Sequence, residues 1–598
     1  MNESMKNRYL MICVIGTVVA SVIAFQMIRI QHIDGAQQIL AFSEDYQGVT
    51  RMIYPDRGNI YDSQGRLLAG NETSYEIGLD LNSISQPETI AGIAASILEL
   101  DYAKVLGYAT MTPGDGNPVY VVLDDFVSKD KIEQLVTIKE DYSKRTARGN
   151  EVLPNIDGLL WTPHSQRTYP EGTLASNILG FYSYLDRTGG IGYFGLEEAY
   201  DSQLAGTPRE VYIAFDPQRL STVEEVPPGV SLVLTIDREI QSLTEKTLDE
   251  AIDWSGAEGG TILVYNPEDG GVIAMATTPR LDPNDYWDYA ELFPNPLPYN
   301  TAISQTYEPG SVFKVITMAS ALDSGEVDRD TRFNDPGYFN IGGATIYNWN
   351  MGGWGDVDMT ECLQYSLNVC MSWLATEMGP DTFYTYLKNF GFDRKTGIDL
   401  GGENHWPLKL PGDSFWYEVD LATNSFGQGI SVTPIQMAMA IGAVANDGRM
   451  MAPHLVKSMI IDGEQYNVDP VVVGTPIKAE TAHILTDMLV DSLENEASNA
   501  LVNGYSLAGK TGTGEIATEF GYSSSETNAS FAGWGPAEDP KFLVYVWLEK
   551  PSISIWGSEV AAPVFSDLVS KLVVLMDIPP DNVRLSNDIN SVGQKGQD

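Results

Sequence analysis

The sequence predicts a mixed α/β (α+β) protein whose main domain is an antiparallel sheet flanked by helices. Two apolar runs surround Asn-Pro-Glu-Asp-Gly-Gly within residues 259–279, which is the pattern of a β-hairpin. Strand patterns return at residues 508–514, 529–535 and 542–549, and helical periods lie between the two groups and after the second. Two early strands and three late strands predict one sheet that the C-terminal part of the chain completes.

The chain begins with a predicted membrane helix. Residues 9–28 carry no charged side chain, and 20 residues correspond to about one membrane span. Because Lys6 and Arg8 precede this segment, the positive-inside rule predicts a cytoplasmic N-terminus and an extracytoplasmic remainder. Val22-Ile23-Ala24 could serve as a cleavage site, so a cleaved signal peptide is the alternative. We favour an uncleaved anchor, since apolar residues continue past that site.

A change in composition divides the rest of the chain. Pro227-Pro228-Gly229 marks a boundary between a turn-rich N-terminal part and a part whose apolar residues recur with the periods of helices and strands. Just after it, residues 235–252 keep a helical apolar period that begins at a Thr235 or Asp237 cap. The predicted order is a cytoplasmic segment at 1–8, a membrane anchor at 9–29, an N-terminal domain at 30–230, a C-terminal domain at 231–579 and a disordered tail at 580–598.

Charge and composition exclude several classes of function. Lys and Arg total 36 and Asp and Glu total 81, so the net charge is −45. Such a chain repels nucleic acid, which excludes a nucleic-acid partner. The histidines lie far apart and no metal-ligand spacing is present, so we predict no metal site. On a continuous helix Cys362 and Cys370 would be about 12 Å apart, beyond disulfide reach, although a break would relax that limit. We predict no disulfide.

Residues 504–514, GYSLAGKTGTG, match two different chemical motifs. One is the phosphate-binding pattern G-x-x-x-x-G-K-[ST], and the other is the K-T-G triad of acyl-transfer enzymes. A phosphate loop needs a buried strand before it and a helix after it. The preceding segment is polar, and Gly512 and Gly514 disfavour a helix. We therefore expect a strand of an acyl-transfer site here.

An acyl-transfer site also needs an S-x-x-K motif upstream, and this motif occurs twice. The copy at Ser128–Lys131 lies in a highly charged stretch. The copy at Ser311–Lys314 follows Pro309-Gly310, which predicts a helix start, and continues into an almost wholly apolar helix. Ser311 and Lys314 are three residues apart and share a helical face. A lysine in a buried helix is costly unless it has a chemical task.

The third motif is Ser366-Leu367-Asn368. Residues i and i+2 diverge on a continuous helix, so Ser366 and Asn368 can face one site only if the backbone breaks between two helices. The three motifs occur in the order expected of a serine acyl-transfer enzyme. A serine hydroxyl needs a base, and Lys314 can serve if burial and the second cation Lys510 lower its pKa.

With these motifs the chain resembles the class B penicillin-binding proteins, which are peptidoglycan D,D-transpeptidases. The resemblance covers nearly the whole chain and rests on RGNIYD at 57–62, RTYPEGTLASNILG at 167–180, GLE at 195–197, SVFK at 311–314, SLN at 366–368, FGQGISVTPIQM at 426–437 and KTGT at 510–513. Asn177 departs from the family, because many members carry His there. The S-x-N motif, with YEPGS ahead of the catalytic lysine, resembles the cell-division branch more than the elongation branch.

The resemblance implies a transpeptidase domain like those of penicillin-binding proteins and serine β-lactamases, with a five-stranded antiparallel sheet, an elongated N-terminal pedestal of the dimerisation type and one membrane helix. It implies these site residues: Ser311 as nucleophile, Lys314 as base, Ser366 as proton shuttle, Asn368 and Lys510 as further catalytic residues, Thr511, Gly512 and Thr513 as substrate-binding residues, and the N–H groups of Ser311 and Thr513 as the oxyanion hole. Gly512 is expected to let a substrate peptide lie close against the strand. No cofactor is required.

The resemblance also implies partners and a location. The substrates are stem peptides that end in D-Ala-D-Ala, and β-lactams acylate the same serine. The expected partners are a polytopic glycan polymerase of the SEDS type and other division proteins, at the plasma membrane of a bacterium. The alternatives are a D,D-carboxypeptidase or β-lactamase, a β-lactam sensor, and an inactive division scaffold. The pedestal and the anchor disfavour a small hydrolase, the short segment before the span disfavours a sensor, and three intact motifs disfavour a scaffold.

Overall fold

The computed structural model describes residues 3–32, 48–113, 118–145, 153–186, 189–214, 226–496, 498–518 and 521–586. The chain divides into two compact units, Met1–Asp56 with Gly206–Pro228 and Arg57–Ala205 with Gly229–Asp598. The first unit contains helix α1 (Glu3–His32) and an antiparallel ribbon of strands β1 (Gly48–Ile53) and β8 (Arg209–Ala214). The stretch Met5–Arg29 of α1 is long and apolar enough to cross a membrane, in agreement with the predicted span.

The second unit contains a mixed sheet that draws strands from both ends of the chain. Its strands are β2 (Ile60–Tyr61), β3 (Leu67–Asp80), β4 (Tyr120–Val127), β5 (Leu159–Thr168), β9 (Ser231–Leu234), β17 (Val456–Ile461) and β18 (Glu464–Asn467). The order is β18-β17-β9-β2-β3-β4, and β5 pairs with β3. Helices α2 (Pro87–Ile97), α3 (Tyr102–Ala109) and α4 (Lys129–Ser143) share a small apolar core with β3.

A buried ion network joins three segments of residues 57–205. These residues are the part of the predicted pedestal that belongs to the second unit, and the word pedestal is used for them below. The Glu197 carboxylate is fully buried and accepts hydrogen bonds from Arg57 Nε at 2.6 Å and Arg167 Nε at 2.8 Å. The Tyr169 hydroxyl donates to the same carboxylate at 3.1 Å. Burial alone would raise the pKa of Glu197, but Arg167 and Arg57 together lower it. Three of the motifs that carry the resemblance therefore meet at one carboxylate.

Short elements complete the pedestal. They are α5 (Ser176–Leu179), β6 (Phe181–Asp186), β7 (Gly189–Tyr193), α6 (Gly195–Ala199) and α7 (Asp201–Ala205). Asn177, the residue that departs from the family pattern, donates through Nδ2 to the Pro279 carbonyl at 3.1 Å and also to the Tyr299 carbonyl. This amide joins the pedestal to the C-terminal domain.

The centre of the C-terminal domain is a five-stranded antiparallel sheet, as the sequence predicts. Its strands are β10 (Gly259–Tyr265), β11 (Val272–Thr277), β20 (Ala508–Thr518), β21 (Gly521–Gly535) and β22 (Phe542–Glu549). The order is β11-β10-β22-β21-β20, so the two early strands pair with the three late ones through β10 and β22. Strand β20, which carries the KTGT motif, lies at one edge.

Helices cover both faces of this sheet, and β22 shows why. Val544 and Val546 join a core with α8 (Arg238–Ser255) and α17 (Gly557–Leu575). Tyr545 and Trp547, which alternate with them, join the other core with α11 (Lys314–Ser324), α13 (Asn368–Asn389) and α15 (Pro434–Val444). Because successive side chains of a strand point to opposite faces, an apolar run without alternation requires cover on both sides.

Smaller elements surround this core. The helices are α9 (Tyr289–Leu292), α10 (Thr301–Ser304), α12 (Met359–Gln364), α14 (Glu418–Asn424) and α16 (Ala479–Glu496), and the strands are β12 (Phe333–Asp335), β13 (Tyr338–Ile341), β14 (Ala344–Tyr347), β15 (Gly355–Val357), β16 (Met450–Met451) and β19 (Val472–Gly474). Helix α8 starts after an Asp237 cap, as predicted.

The end of the chain remains folded beyond the predicted domain boundary. Residues 581–586, expected to belong to a disordered tail, form a helical turn. The Asp581 carboxylate accepts from the Ser506 backbone N–H at 2.6 Å and from Arg584 at 2.7 Å, and these contacts hold the turn on the domain. Residues 587–598 of the expected tail lie outside the described residues.

Candidate active site

A cavity of about 790 Å³ opens at the edge strand of the five-stranded sheet. Six of the eight residues predicted for the site line it, namely Ser311, Ser366, Asn368, Lys510, Thr511 and Thr513. The other two, Lys314 and Gly512, are buried behind the lining. The structure therefore brings together three motifs that are separated by about two hundred residues of sequence.

Ser311 lies in a tight turn that leads into the buried helix. The 3-10 turn Gly310–Phe313 continues directly into α11, and Val312 and Phe313 are fully buried beneath it. Gly310 has φ 59° and donates its N–H to the Gly427 carbonyl at 3.0 Å. A Cβ at Gly310 would lie 2.3 Å from the Thr513 carbonyl oxygen, so only glycine allows the turn to approach the edge strand this closely.

Lys314 is the most constrained charged group at this site. Its side chain is fully buried, and Nζ lies within hydrogen-bond distance of the Ser366 carbonyl (2.6 Å), Ser366 Oγ (3.1 Å) and Asn368 Oδ1 (2.7 Å). Burial lowers the pKa of Lys314 well below its ordinary value, and the nearby positive charge of Lys510 lowers it further. The direction agrees with the expectation from the sequence, and it favours a neutral amine that can accept a proton.

The SLN motif occupies a break between two helices, as predicted. Helix α12 ends at Gln364 and α13 begins at Asn368, with Ser366 between them at φ 52°. A serine in the left-handed region is uncommon, and such strained residues concentrate at functional sites. The break turns both Ser366 and Asn368 toward Lys314 Nζ, which a continuous helix could not do.

The same break corrects the prediction about the cysteines. Cys362 and Cys370 form a disulfide, with Cα atoms 6.1 Å apart. The prediction of no disulfide is wrong because the sharp turn at Ser366 shortens the path between the two helices. The bond links the last part of α12 to the first turn of α13 and so closes a short loop around Ser366 and Asn368.

Strand β20 presents one face to the cavity and the other to the nucleophile turn. Thr511 and Thr513 line the cavity. A Cβ at Gly512 would lie 2.6 Å from Val312 Cγ2 and 2.3 Å from Ser530 Oγ, and one at Gly514 would lie 2.2 Å from the Glu308 carbonyl oxygen. The missing side chain of Gly512 therefore makes room for the turn that carries Ser311. The expectation that Gly512 also lets a substrate peptide lie close against the strand stays a prediction.

Lys510 and Thr513 make contacts that suit anion binding. Lys510 Nζ lies 3.3 Å from Thr511 Oγ1, although the two side chains leave the strand on opposite faces. Thr513 Oγ1 accepts the backbone N–H of Gly557 at 3.1 Å, at the first turn of α17. Its own hydroxyl proton therefore remains available to donate into the cavity. Two hydroxyls and one ammonium group converge on this part of the cavity.

The cavity also contains aromatic residues that sequence reasoning missed. Trp349 and Trp556 are 53% and 38% exposed, and their rings meet edge to face with centroids 5.8 Å apart. Trp349 Nε1 donates to the Tyr365 carbonyl at 3.1 Å, and Asn368 Nδ2 donates to the Tyr347 carbonyl at 3.2 Å. The segment YNWNMGGWG at 347–355 follows no catalytic motif. Its only signal is a cluster of aromatic and glycine residues. The helical period expected between the two groups of strands does not hold here, because β13, β14 and β15 flank the segment.

The alternative motif assignments do not fit this geometry. Lys510 and Thr511 lie within β20, which continues to Thr518, so no helix follows them as a phosphate loop requires. The second S-x-x-K copy begins at Ser128, which precedes α4 on the pedestal.

Comparisons with known proteins agree with the fold and the site. The family model described as the penicillin binding protein transpeptidase domain matches residues 260–570, and the one described as the penicillin-binding protein dimerisation domain matches residues 52–232. Stage V sporulation protein D of Bacillus subtilis is 30% identical over 97% of this chain and 87% of its own length. Peptidoglycan D,D-transpeptidase FtsI of Escherichia coli is 28% identical over 74% of this chain and 73% of its own.

A solved structure gives the same picture of the fold. Penicillin binding protein 2X from Streptococcus thermophilus superposes with a TM-score of 0.73 at 23% identity, over 88% of this chain and 80% of that one. Both matched domains, the near full-length relative and the shared architecture lead to one conclusion. The chain belongs to the class B penicillin-binding proteins, whose transpeptidase domain is that of the serine D,D-transpeptidases.

Proposed function

We propose that this protein cross-links peptidoglycan stem peptides through an acyl-enzyme on Ser311, in septal cell-wall synthesis. The observation that carries the proposal is the position of Lys314 Nζ, fully buried and hydrogen bonded to both Ser366 and Asn368. A buried amine with a lowered pKa can act as the base for a serine three residues away on the same helical face. The base activates that serine as a nucleophile.

In the proposed acylation, neutral Lys314 takes the hydroxyl proton of Ser311. The Ser311 oxygen attacks the carbonyl of the penultimate D-Ala, and the bond to the terminal D-Ala breaks. Ser366, hydrogen bonded to Lys314, passes a proton to the leaving nitrogen. Asn368 holds Lys314 and the amide of the donor peptide, while Thr511, Thr513 and Lys510 bind the terminal carboxylate. An amine from a neighbouring stem peptide then attacks the ester carbonyl. Its proton passes through Lys314 to the Ser311 oxygen as the ester bond breaks, so Ser311 is restored.

The proposed oxyanion hole consists of the backbone N–H groups of Ser311 and Thr513. The close approach of Gly310 to the Thr513 carbonyl supports it. In a strand the N–H and C=O of one residue point to the same edge, so the Thr513 N–H also faces the nucleophile turn. Donors fixed in this way stabilise charge that develops on the attacked carbonyl oxygen.

We place the protein in a bacterial plasma membrane with its N-terminus in the cytoplasm and both domains outside. The apolar stretch Met5–Arg29 supports the anchor, and Lys6 and Arg8, just before its uncharged run at 9–28, support this orientation. A SEDS-type glycan polymerase and other division proteins are the proposed partners. The proposed domain boundary at 230/231 is supported by family matches that end at residue 232 and begin again at 260.

The proposal is tested by covalent labelling. The ectodomain is incubated with a labelled penicillin, digested and mapped. We expect the penicilloyl group on Ser311 and no label in Ser311→Ala, with Ser128→Ala as the matched control that still labels. Label at another serine would overturn the assignment.

A second measurement addresses the septal role. A depletion strain should form filaments with incomplete septa, and a fluorescent fusion should concentrate at midcell. A rounded phenotype with lateral localisation would instead assign the protein to elongation.

A further inference from the structure

Charged groups are few in the catalytic cavity, and their arrangement is uneven. Among the described residues that line it, only Lys510, Glu515 and Glu559 carry full charges. Lys510 lies at the part of the cavity where Thr511 and Thr513 would hold the donor's carboxylate. Glu515 and Glu559 have no role in the transfer chemistry described above. The cavity is therefore basic at one end of β20 and acidic further along it.

Glu515 continues the line of substrate-facing residues on the edge strand. Thr511, Thr513 and Glu515 are alternate residues of β20, and all three line the cavity. The strand is regular through this stretch, since Glu515 pairs with Thr527 before the register shifts. Alternate side chains on one strand face are about 6.8 Å apart, so Glu515 lies one such step beyond Thr513.

The Glu515 carboxylate is positioned but has no positive partner among the described residues. Gln428 Nε2 donates to its Oε2 at 2.8 Å, and no ion pair involves it. Gln428 follows Gly427, whose carbonyl accepts the Gly310 N–H beside the nucleophile. Glu308 is an acidic neighbour of Glu515. Burial raises the pKa of Glu308, the charge of Lys409 lowers it, and the charge of Glu515 raises it. A half-buried carboxylate beside a second acid favours the binding of a further cation.

A bound donor peptide would supply that cation at the right place. A peptide that adds to the free edge of β20 runs antiparallel to it if its terminal carboxylate lies at Thr511 and Thr513 and its earlier residues extend toward Glu515. Its residues then follow the strand at about 3.4 Å each, so the residue two places before the terminal D-Ala lies beside Glu515. A basic side chain at that position would meet the carboxylate directly.

We propose that Glu515 binds the aliphatic ammonium group of a diamino residue in a stem peptide, and so makes this transpeptidase selective for substrates that carry a free amine. The inference rests on the proposed function of the cavity and names its substrate class. The ammonium belongs to the donor peptide if the strand register above applies. An acceptor peptide that approaches the ester could supply the same group, which would lose a proton to solvent before its nitrogen attacks. Two experimental arms distinguish these sources.

The donor arm compares two ester donors that differ in one group. Nα-acetyl-L-lysyl-D-alanyl-D-lactate carries a free ε-ammonium, and its Nε-acetyl derivative does not. With the wild-type ectodomain we expect kcat/KM to be about two- to fivefold higher for the first donor, the range of a partly exposed ion pair. Glu515→Gln should bring this ratio close to one, and Glu515→Lys should invert it.

The acceptor arm measures the partition of the acyl-enzyme between aminolysis and hydrolysis. The donor is the Nε-acetyl ester, and the acceptor is a peptide with a free side-chain amine. If the acceptor supplies the ammonium, Glu515→Gln lowers the fraction of the acyl-enzyme that undergoes aminolysis. In that case the wild type already has equal kcat/KM values for the two ester donors. Either result supports the proposal, and together they assign the source.

Glu559→Gln is the matched control, because Glu559 lies in the same cavity and its carboxylate already accepts a hydrogen bond from Ser554. Penicillin labelling of Ser311 shows in each variant that the site is folded, and in the wild type it tests the proposed function separately. The inference is overturned if neither ratio changes in Glu515→Gln, or if Glu559→Gln changes them equally.

Discussion

The protonation state of Lys314 decides when Ser311 can react. Three acceptors surround its Nζ, yet burial and the charge of Lys510 lower its pKa. A base must be neutral to accept a proton, so acylation should rise with pH through this lowered pKa. Two residue-scale predictions follow from the contacts of Lys510 and Thr513.

Lys510→Gln should shift the pH dependence of acylation. Removing the second charge raises the pKa of Lys314, so the rising limb of the acylation rate moves to higher pH. Burial, the larger cause, remains and keeps the pKa of Lys314 below its ordinary 10.5. The measurement is the second-order rate constant for a penicillin across the pH range in which the ectodomain stays folded. Lys541→Gln, an exposed lysine paired with Asp539, is the control. An unshifted profile would contradict the coupling.

Thr513→Val should lower acylation while Thr513→Ser largely preserves it. Valine keeps the shape but removes the hydroxyl that would bind the substrate carboxylate, a hydrogen bond to a charged group of about 1.5–3 kcal/mol, or about ten- to a hundredfold in rate. The Gly557 N–H also loses its acceptor, so the melting temperature should fall slightly. Acylation kinetics and thermal unfolding separate the two effects. Equal rates for both variants would show that the hydroxyl is not used.

At the scale of secondary-structure elements, the contact between β20 and the nucleophile turn depends on absent side chains. Gly512→Ala places a methyl group 2.6 Å from Val312 Cγ2 and 3.0 Å from the Pro309 carbonyl. Overpacking of this kind costs about 1–3 kcal/mol. We expect both the melting temperature and the acylation rate to fall. Gly92→Ala in α2, where nothing lies within 4 Å, is the control and should be neutral or slightly stabilising. Unchanged stability in Gly512→Ala would contradict the packing.

The disulfide holds the loop between α12 and α13. In the chain-entropy model, a closed loop of this length is worth about 2–3 kcal/mol. Cys362→Ala with Cys370→Ala should therefore lower stability, and acylation should slow because Ser366 is held less firmly at its strained φ of 52°. Chemical denaturation and penicillin kinetics are the measurements. In the full-length protein, Cys13→Ser, which changes the third cysteine, should leave both quantities unaltered.

The five strands, the cap of α8 and the three motifs could be predicted because each has a local pattern. The disulfide and the packing around Gly512 could not, because both depend on where distant segments meet. Cys362 and Cys370 come together only through the turn at Ser366, and the space beside Gly512 belongs to Val312. Trp349 was missed for the same reason, since only its approach to Trp556 makes it part of the cavity.

At the scale of the whole molecule, the buried network at Glu197 links segments of the pedestal that are far apart in sequence. Its partners Arg57 and Arg167 are also almost fully buried. Removing one member of a buried ion network leaves the others uncompensated, which typically costs about 3–5 kcal/mol. Local pattern could not predict this network, because its members come from three separate motifs.

Glu197→Gln should destabilise the ectodomain in a pH-dependent manner. The pKa of Glu197 is lowered in the folded protein, so its ionised form stabilises the fold above the ordinary value of 4.5. That stability is lost as the pH falls from this value through the lowered pKa. The difference between wild type and variant should be largest near neutral pH and narrow in acid. Denaturant titrations measure it, and Glu133→Gln on the surface of α4 should cost under about 1 kcal/mol.

The glycine contacts around Ser311 restrict how this protein can vary over generations. Gly310 abuts the Thr513 carbonyl, Gly427 would place a Cβ 2.2 Å from the Gly310 carbonyl oxygen, and Gly514 abuts the Glu308 carbonyl. Backbone touches backbone at all three places, so every codon change that replaces glycine there forces the nucleophile away from the strand.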